Sequence, residues 1–166
     1  VKCVNKDNQE VPVGEPGEIL VRGYNITQGY FNDSEATQET IDEEGWLHTG
    51  DIGILDQNGY IKITDRSKDM FIVGGFNAYP AEIENILCDH PAISQAAVIG
   101  IADERMGEVA KAFVVLKPNH ELQEDALAKW SKENMANYKV PREIEFVEAL
   151  PTNAAGKVMK YILKES

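Results

Sequence analysis

Three polar side chains stand where chemistry could occur: Asp51 in "GWLHTGD", Arg66 in "TDRSKD" and Lys157 in "LPTNAAGKVMKYIL". A carboxylate offers two acceptor oxygens, a guanidinium a planar fork of donors, and an ammonium a mobile point charge. Each also has a plain structural role open to it. Asp51 can cap a turn at a strand start, and Arg66 can pair with Asp65 or Asp69. Lys157 can be a surface charge behind the small-residue turn Asn153-Ala154-Ala155-Gly156. From Lys129 onward Lys and Arg outnumber Asp and Glu seven to five, and such a positive end suits a small anionic ligand.

The rest of the chain is acidic. Its 166 residues carry a formal charge of −12; residues 1–66 hold 5 basic and 13 acidic side chains. That balance excludes a general nucleic-acid binder, which needs a basic face. No stretch approaches the roughly 20 apolar residues that span a bilayer. The opening "VKCVNKDNQE" lacks the apolar core of a signal peptide, so a cytoplasmic location is expected. Cys3 and Cys88 lie far apart and read as free thiols of a reducing compartment. His48, His90 and His120 stand singly, without HExxH, and no metal site is expected. A start at Val1 rather than Met suggests a chain cut from something longer.

The elements that must position the three residues fall into two styles. "GEILVRGYN" reads as a strand over Gly17–Asn25, and "NDSEATQETI" as a short helix capped by Asp33 or Ser34. "DIGILDQNGYIKITDR" reads as a hairpin, Asp51–Leu55 and Tyr60–Thr64, turning at Asp56-Gln57-Asn58-Gly59. Past Arg66 helices enter. "DMFIV" is a strand ending at Gly74-Gly75; "YPAEIENILCDHP" is a helix with Ile83, Ile86 and Leu87 on one face. "SQAAVIGI" and "VAKAFVVL" are apolar strands, and "QEDALAKWSKENM" is a helix turning Ala126, Leu127 and Trp130 inward. "REIEFVE" reads as a strand and "VMKYILKE" as a short closing helix. The fold class is α+β, with a β-rich first part and a compact second part of about 100 residues.

Five ordered stretches give a sharper reading: "GEPGEILVRG", "GWLHTGDIG", "GYIKITDRSKDMFIVGGFNAYPAEIE", "YKVPREIEF" and "LPTNAAGKVMK". Together they resemble the adenylate-forming superfamily of acyl-CoA synthetases, peptide-synthetase adenylation domains and luciferases. "GFNAYPAEIE" after "DRSKDM" is most similar to the fatty-acyl and aryl-CoA ligase branch. The family's Ser/Thr/Gly-rich phosphate loop lies upstream of these motifs and has no match here. The resemblance therefore implies the C-terminal portion of a ligase, inactive alone. Residues 1–65 would end the large N-terminal domain, 66–68 would form a hinge, and 69–166 would be the small lid domain.

The resemblance also assigns roles. A carboxylate would attack the α-phosphate of ATP, giving acyl-AMP and pyrophosphate; the thiol of coenzyme A would then displace AMP. Asp51 would accept hydrogen bonds from the ribose hydroxyls, and Arg66 would reach the same sugar. Ile63 occupies the place of an apolar residue near the nucleotide, and reads equally well as strand core. Lys157 would be catalytic in the first half-step, Lys68 the hinge residue, and Gly74, Gly75 and Phe76 the path for coenzyme A. Lys139 and Arg142 are candidates for coenzyme A phosphates. Magnesium would accompany ATP, with no ligand for it visible. Medium- or long-chain fatty acids follow as substrates from the branch resemblance only. Two alternatives stay open: loading of a carrier protein's pantetheine arm, and a stand-alone binding module without catalysis.

Overall fold

The computed structural model describes residues 1–164, so Glu165, the end of the helix expected over "VMKYILKE", lies outside the described residues together with Ser166. The chain divides into two compact units, Val1–Lys68 and a second that begins at Asp69.

The first unit is one antiparallel sheet of four strands in sequential order, β1 (Lys2–Val4), β2 (Pro16–Val21), β3 (Leu47–Leu55) and β4 (Ile61–Arg66). Cys3, Val4, Ile19, Leu20 and Ile52 are its buried apolar residues. Strand β2 stops at Val21 rather than at Asn25, because Gly23 opens a turn in which its carbonyl accepts the Ile26 N–H. Helix α1 (Ser34–Thr40) is capped by Asp33, whose carboxylate accepts the Ala36 N–H at 2.9 Å. The β3–β4 turn is closed by Asp56, which accepts from Asn58 and Tyr60, with Gly59 at φ 83°.

The second unit holds β5 (Phe71–Val73), β6 (Phe76–Ala78), α2 (Pro80–Cys88), β7 (Ile93–Asp103), β8 (Gly107–Leu116), α3 (Glu124–Asn134), β9 (Glu143–Phe146) and α4 (Lys160–Leu163). Strand β8 is the spine of its sheet. It pairs with β7 along its length, with β5 at Val73↔Gly107, and in parallel with β9 from Lys111↔Glu143 to Val114↔Phe146. Because side chains alternate along a strand, β7 and β8 feed two cores. Val98, Ala110, Ala112 and Val114 join Ile83, Leu87 and Leu127 of the helices on one face. Ala97, Ile99 and Phe113 meet Leu150 and Leu163 on the other.

Three further details differ from the sequence reading. Leu127, Trp130 and Ser131 share the inner face of α3 at helical spacing, which turns Ala126 out to solvent. Ile86 is only half-buried, while Pro80, Ile83 and Leu87 are the buried residues of α2. Helix α4 starts at Lys160 rather than Val158, because Val158 forms a bridge with Thr152.

Candidate functional site

Asp51 and Arg66 are brought together by register. They face each other across the antiparallel β3–β4 pair, and the Arg66 Nε donates to the Asp51 carboxylate at 3.0 Å. Arg66 thus pairs with Asp51, while Asp65 accepts the Arg66 backbone N–H at 2.7 Å. The approach to Asp51 is held from behind. Glu18 accepts the Gly50 N–H at 3.1 Å and faces His48 Nδ1 at 3.2 Å, and Thr49 donates to the Ile19 carbonyl. Gly50 sits at φ 69°, a conformation that favours glycine. Asp51 keeps a quarter of its side chain in solvent and Arg66 more than half, so both retain capacity for a further polar partner. Ile63, on β4, is 63% exposed and does not belong to the sheet's core. Nothing in the sequence singled out Glu18; its role depends on a cross-strand register that spacing alone does not give.

Lys68 is exposed in a single 3-10 turn, Ser67–Asp69, at the end of the first unit.

In the second unit Gly74 and Gly75 form the two-residue turn between β5 and β6, with φ of 56° and 90°. Positive φ at both positions is the geometry of a type I′ turn, which glycine enters without a Cβ penalty. A Cβ on Gly74 would strike Met106 Cε at 2.5 Å, whereas Gly75 has open space beside it. The Gly74 N–H donates to the Met106 carbonyl, in a turn organised by Asp103. The backbone N–H groups of Met106 and Arg105 hold the Asp103 carboxyl below the usual carboxylate range. Phe76 is exposed and stacks on Tyr138, with ring centroids 5.0 Å apart.

Lys139 is engaged at 2.6 Å by Glu82. Burial pulls its ammonium down, but the hydrogen bond and charge of Glu82, helped by Tyr138, outweigh this and leave it raised. Arg142 is exposed.

Lys157 leaves a tight hairpin. The Asn153 side-chain oxygen accepts the N–H groups of Ala155 and Lys157 at 3.0 and 2.9 Å. The Asn153 N–H donates to the Lys157 carbonyl, and the Asn153 carbonyl accepts from Gly156, which sits at φ 79°. The turn is therefore set by Asn153, legible in sequence as an Asn three residues before a Gly. Lys111, Lys139 and Lys160 of this unit each pair with a carboxylate; Lys157 has no such pair among the described residues. The arrangement presents an uncommitted cation at the tip of a hydrogen-bonded hairpin.

Residues 82–157 match the AMP-binding enzyme C-terminal domain. The chain is 57% identical over 156 residues to the 3-[(3aS,4S,7aS)-7a-methyl-1,5-dioxo-octahydro-1H-inden-4-yl]propanoyl:CoA ligase of Rhodococcus jostii (strain RHA1), covering 94% of this chain and 30% of that one. It is 45% identical to the 2-succinylbenzoate–CoA ligase of Bacillus cereus (strain Q1), covering 98% and 33%. Among solved structures, the o-succinylbenzoate CoA synthetase of Bacillus subtilis in complex with its acyl-adenylate intermediate superposes with a TM-score of 0.88 at 37% identity, covering 100% of this chain and 34% of that one. The chain spans about a third of the length of the curated relatives it matches. No helix among the described residues is long and apolar enough to cross a membrane.

Proposed function

This chain belongs to the adenylate-forming superfamily as a C-terminal portion of an acyl-CoA synthetase, and from that premise we propose that it closes the active site of an ATP-dependent carboxylate–CoA ligase. The first unit contributes the ribose grip, and the second is the lid. The observation that carries the reading is the uncommitted Lys157 on its Asn153-tied hairpin.

In the first half-step a carboxylate oxygen bonds to the α-phosphorus of ATP and the bond to pyrophosphate breaks. Charge gathers on the α-phosphoryl oxygens while the nucleophile is itself an anion. The Lys157 ammonium lowers that repulsion, and electrostatic help of this kind is worth most where donors are already aimed. Asp51 accepts the ribose hydroxyls in charge-assisted bonds, with Arg66 beside it. Ile63 offers an exposed apolar surface to the nucleotide. Magnesium enters as the partner of ATP's phosphates; among the described residues no group of three or more His, Cys, Asp and Glu side chains is placed to ligate an ion.

In the second half-step the coenzyme A thiol loses its proton, its sulfur bonds to the acyl carbon, and AMP leaves. The open side of Gly75 gives a pantetheine arm backbone to run along, next to the exposed ring of Phe76. With Lys139 held by Glu82, Arg142 is the freer candidate for a coenzyme A phosphate. Between half-steps Lys68 is the pivot, absorbing the backbone change of a lid rotation.

The acid-binding pocket belongs to a large domain outside this chain. The relatives' named acids carry rings, so ring-bearing carboxylates belong in a substrate panel beside fatty acids. The 166-residue chain alone is expected to show no ATP–pyrophosphate exchange, and the full-length protein to show exchange with one of these acids. Exchange by the isolated chain, or a full-length protein inert toward every carboxylate with ATP, overturns the reading. Lys68→Pro, which fixes φ and restricts Ser67 before it, is expected to impair thioester formation more than acyl-AMP formation. Unchanged single-turnover rates for both steps reject the pivot.

A further inference from the structure

The bonds around Asn153 shape the Lys157 turn but do not orient it. They join the hairpin to itself, so the whole finger can tilt with every one of them intact. Orientation must come from what ties the finger's base to the rest of its unit. Leu150 and Leu163 do so through apolar contact with Ala97, Ile99 and Phe113, which is non-directional. A directional tie stands beside that contact. Lys160, three residues beyond Lys157, places its ammonium 2.7 Å from Glu84 Oε1, and neither side chain is more than a fifth exposed. The same Glu84 oxygen accepts the Val98 N–H at 2.7 Å, on the side of β7 away from β8. Glu84 therefore joins α2, the edge of β7 and the base of the Lys157 hairpin at a single atom.

We infer that Glu84 is a positioning residue for Lys157, acting through Lys160 to hold the hairpin at the angle that adenylyl transfer from ATP to the carboxylate requires. The inference rests on the role given to Lys157 above. A charge-assisted bond between partly buried groups is short and direction-dependent. Losing it leaves the apolar seat in place but lets the fingertip shift, and a displacement on the order of 1 Å costs up to 100-fold in rate. The pair also explains why a second lysine follows so closely on the first: one ammonium is committed to structure so that the other can be kept free.

The test uses the full-length protein that carries this chain, with Glu84→Gln, Lys157→Ala and the double variant. Glutamine keeps an oxygen for the Val98 N–H and keeps the side chain's size, while removing the charge that grips Lys160. Single-turnover acyl-AMP formation is expected to fall about tenfold in E84Q, the lower part of that range. Thioester formation from supplied acyl-AMP should be unchanged. In the Lys157→Ala background E84Q should cost nothing further, because its route runs through the missing ammonium. An equal loss in both half-steps, no loss in E84Q, or a further tenfold loss on top of Lys157→Ala overturns the inference. An unimpaired Lys157→Ala variant instead overturns the role of the lysine itself. Lys160→Met reaches the pair from the other side with Glu84 intact; if E84Q fails to fold, the same selective loss in K160M sustains the inference and its absence ends it.

Discussion

Replacing Lys157 with alanine in the full-length protein is expected to slow acyl-AMP formation by about 100-fold or more, the scale of removing one pre-aimed electrostatic stabiliser. Thioester formation from supplied acyl-AMP should proceed at the parent rate. The asymmetry follows from where charge develops. Only the first half-step brings an anionic carboxylate against an anionic phosphate; in the second the sulfur attacks the neutral acyl carbon of acyl-AMP, away from the phosphorus. The substitution should not disturb folding, because Lys157 is exposed and its backbone bonds to Asn153 survive the change of side chain. ATP–pyrophosphate exchange measures the first step, and chromatography of the thioester measures the second. Equal loss in both would remove the lysine from the chemistry.

Asp51→Ala should act differently, raising the KM for ATP by about 100-fold with a smaller change in kcat. Two charge-assisted hydrogen bonds to the ribose hydroxyls are worth at least ~1.5 kcal/mol each, and about 1.4 kcal/mol is a factor of ten. They form with the substrate and persist through the reaction, so their loss is a loss of uniform binding. Folding should be little affected. Arg66 loses its 3.0 Å partner, but more than half of its side chain is in solvent, where such a pair contributes little. A steady-state KM within threefold of the parent value would show that the carboxylate does not hold the sugar. Paired with Lys157→Ala, the result separates gripping the nucleotide from moving its phosphate.

Much of this architecture is legible in the residues because the strong elements carry strong periods. The β3–β4 hairpin announces itself through Asp56-Gln57-Asn58-Gly59, and α2 through Pro80 with Ile83 and Leu87. Short elements are not legible, since three residues cannot show a period. Strand β1 exists because Lys2–Val4 finds a partner in β2, and β6 because a two-glycine turn folds Phe76–Ala78 back on β5. The parallel pairing of β9 with β8 is likewise invisible in sequence. Of the three side chains picked out by type, Asp51 and Arg66 meet across one strand pair of the first unit, and Lys157 stands on a hairpin of the second. Asn153 is legible from its place in the turn, whereas Glu18 and Glu84, which bond to Gly50 and Lys160, are not. The contacts of these two carboxylates join residues far apart in sequence, and an acidic chain offers too many carboxylates for type alone to choose among them.

The two-sided sheet of the second unit has a practical consequence. The stretch from Leu150 to Leu163 that presents Lys157 is also the waterproofing over Phe113, Ala97 and Ile99. Trimming the chain back to Glu148 would strip one whole side of a sheet and yield a sticky, aggregating remnant, whose silence in an assay says nothing about the missing ammonium. Deletion mapping therefore confounds solubility with chemistry in this region, and only exchanges of single side chains can tell them apart.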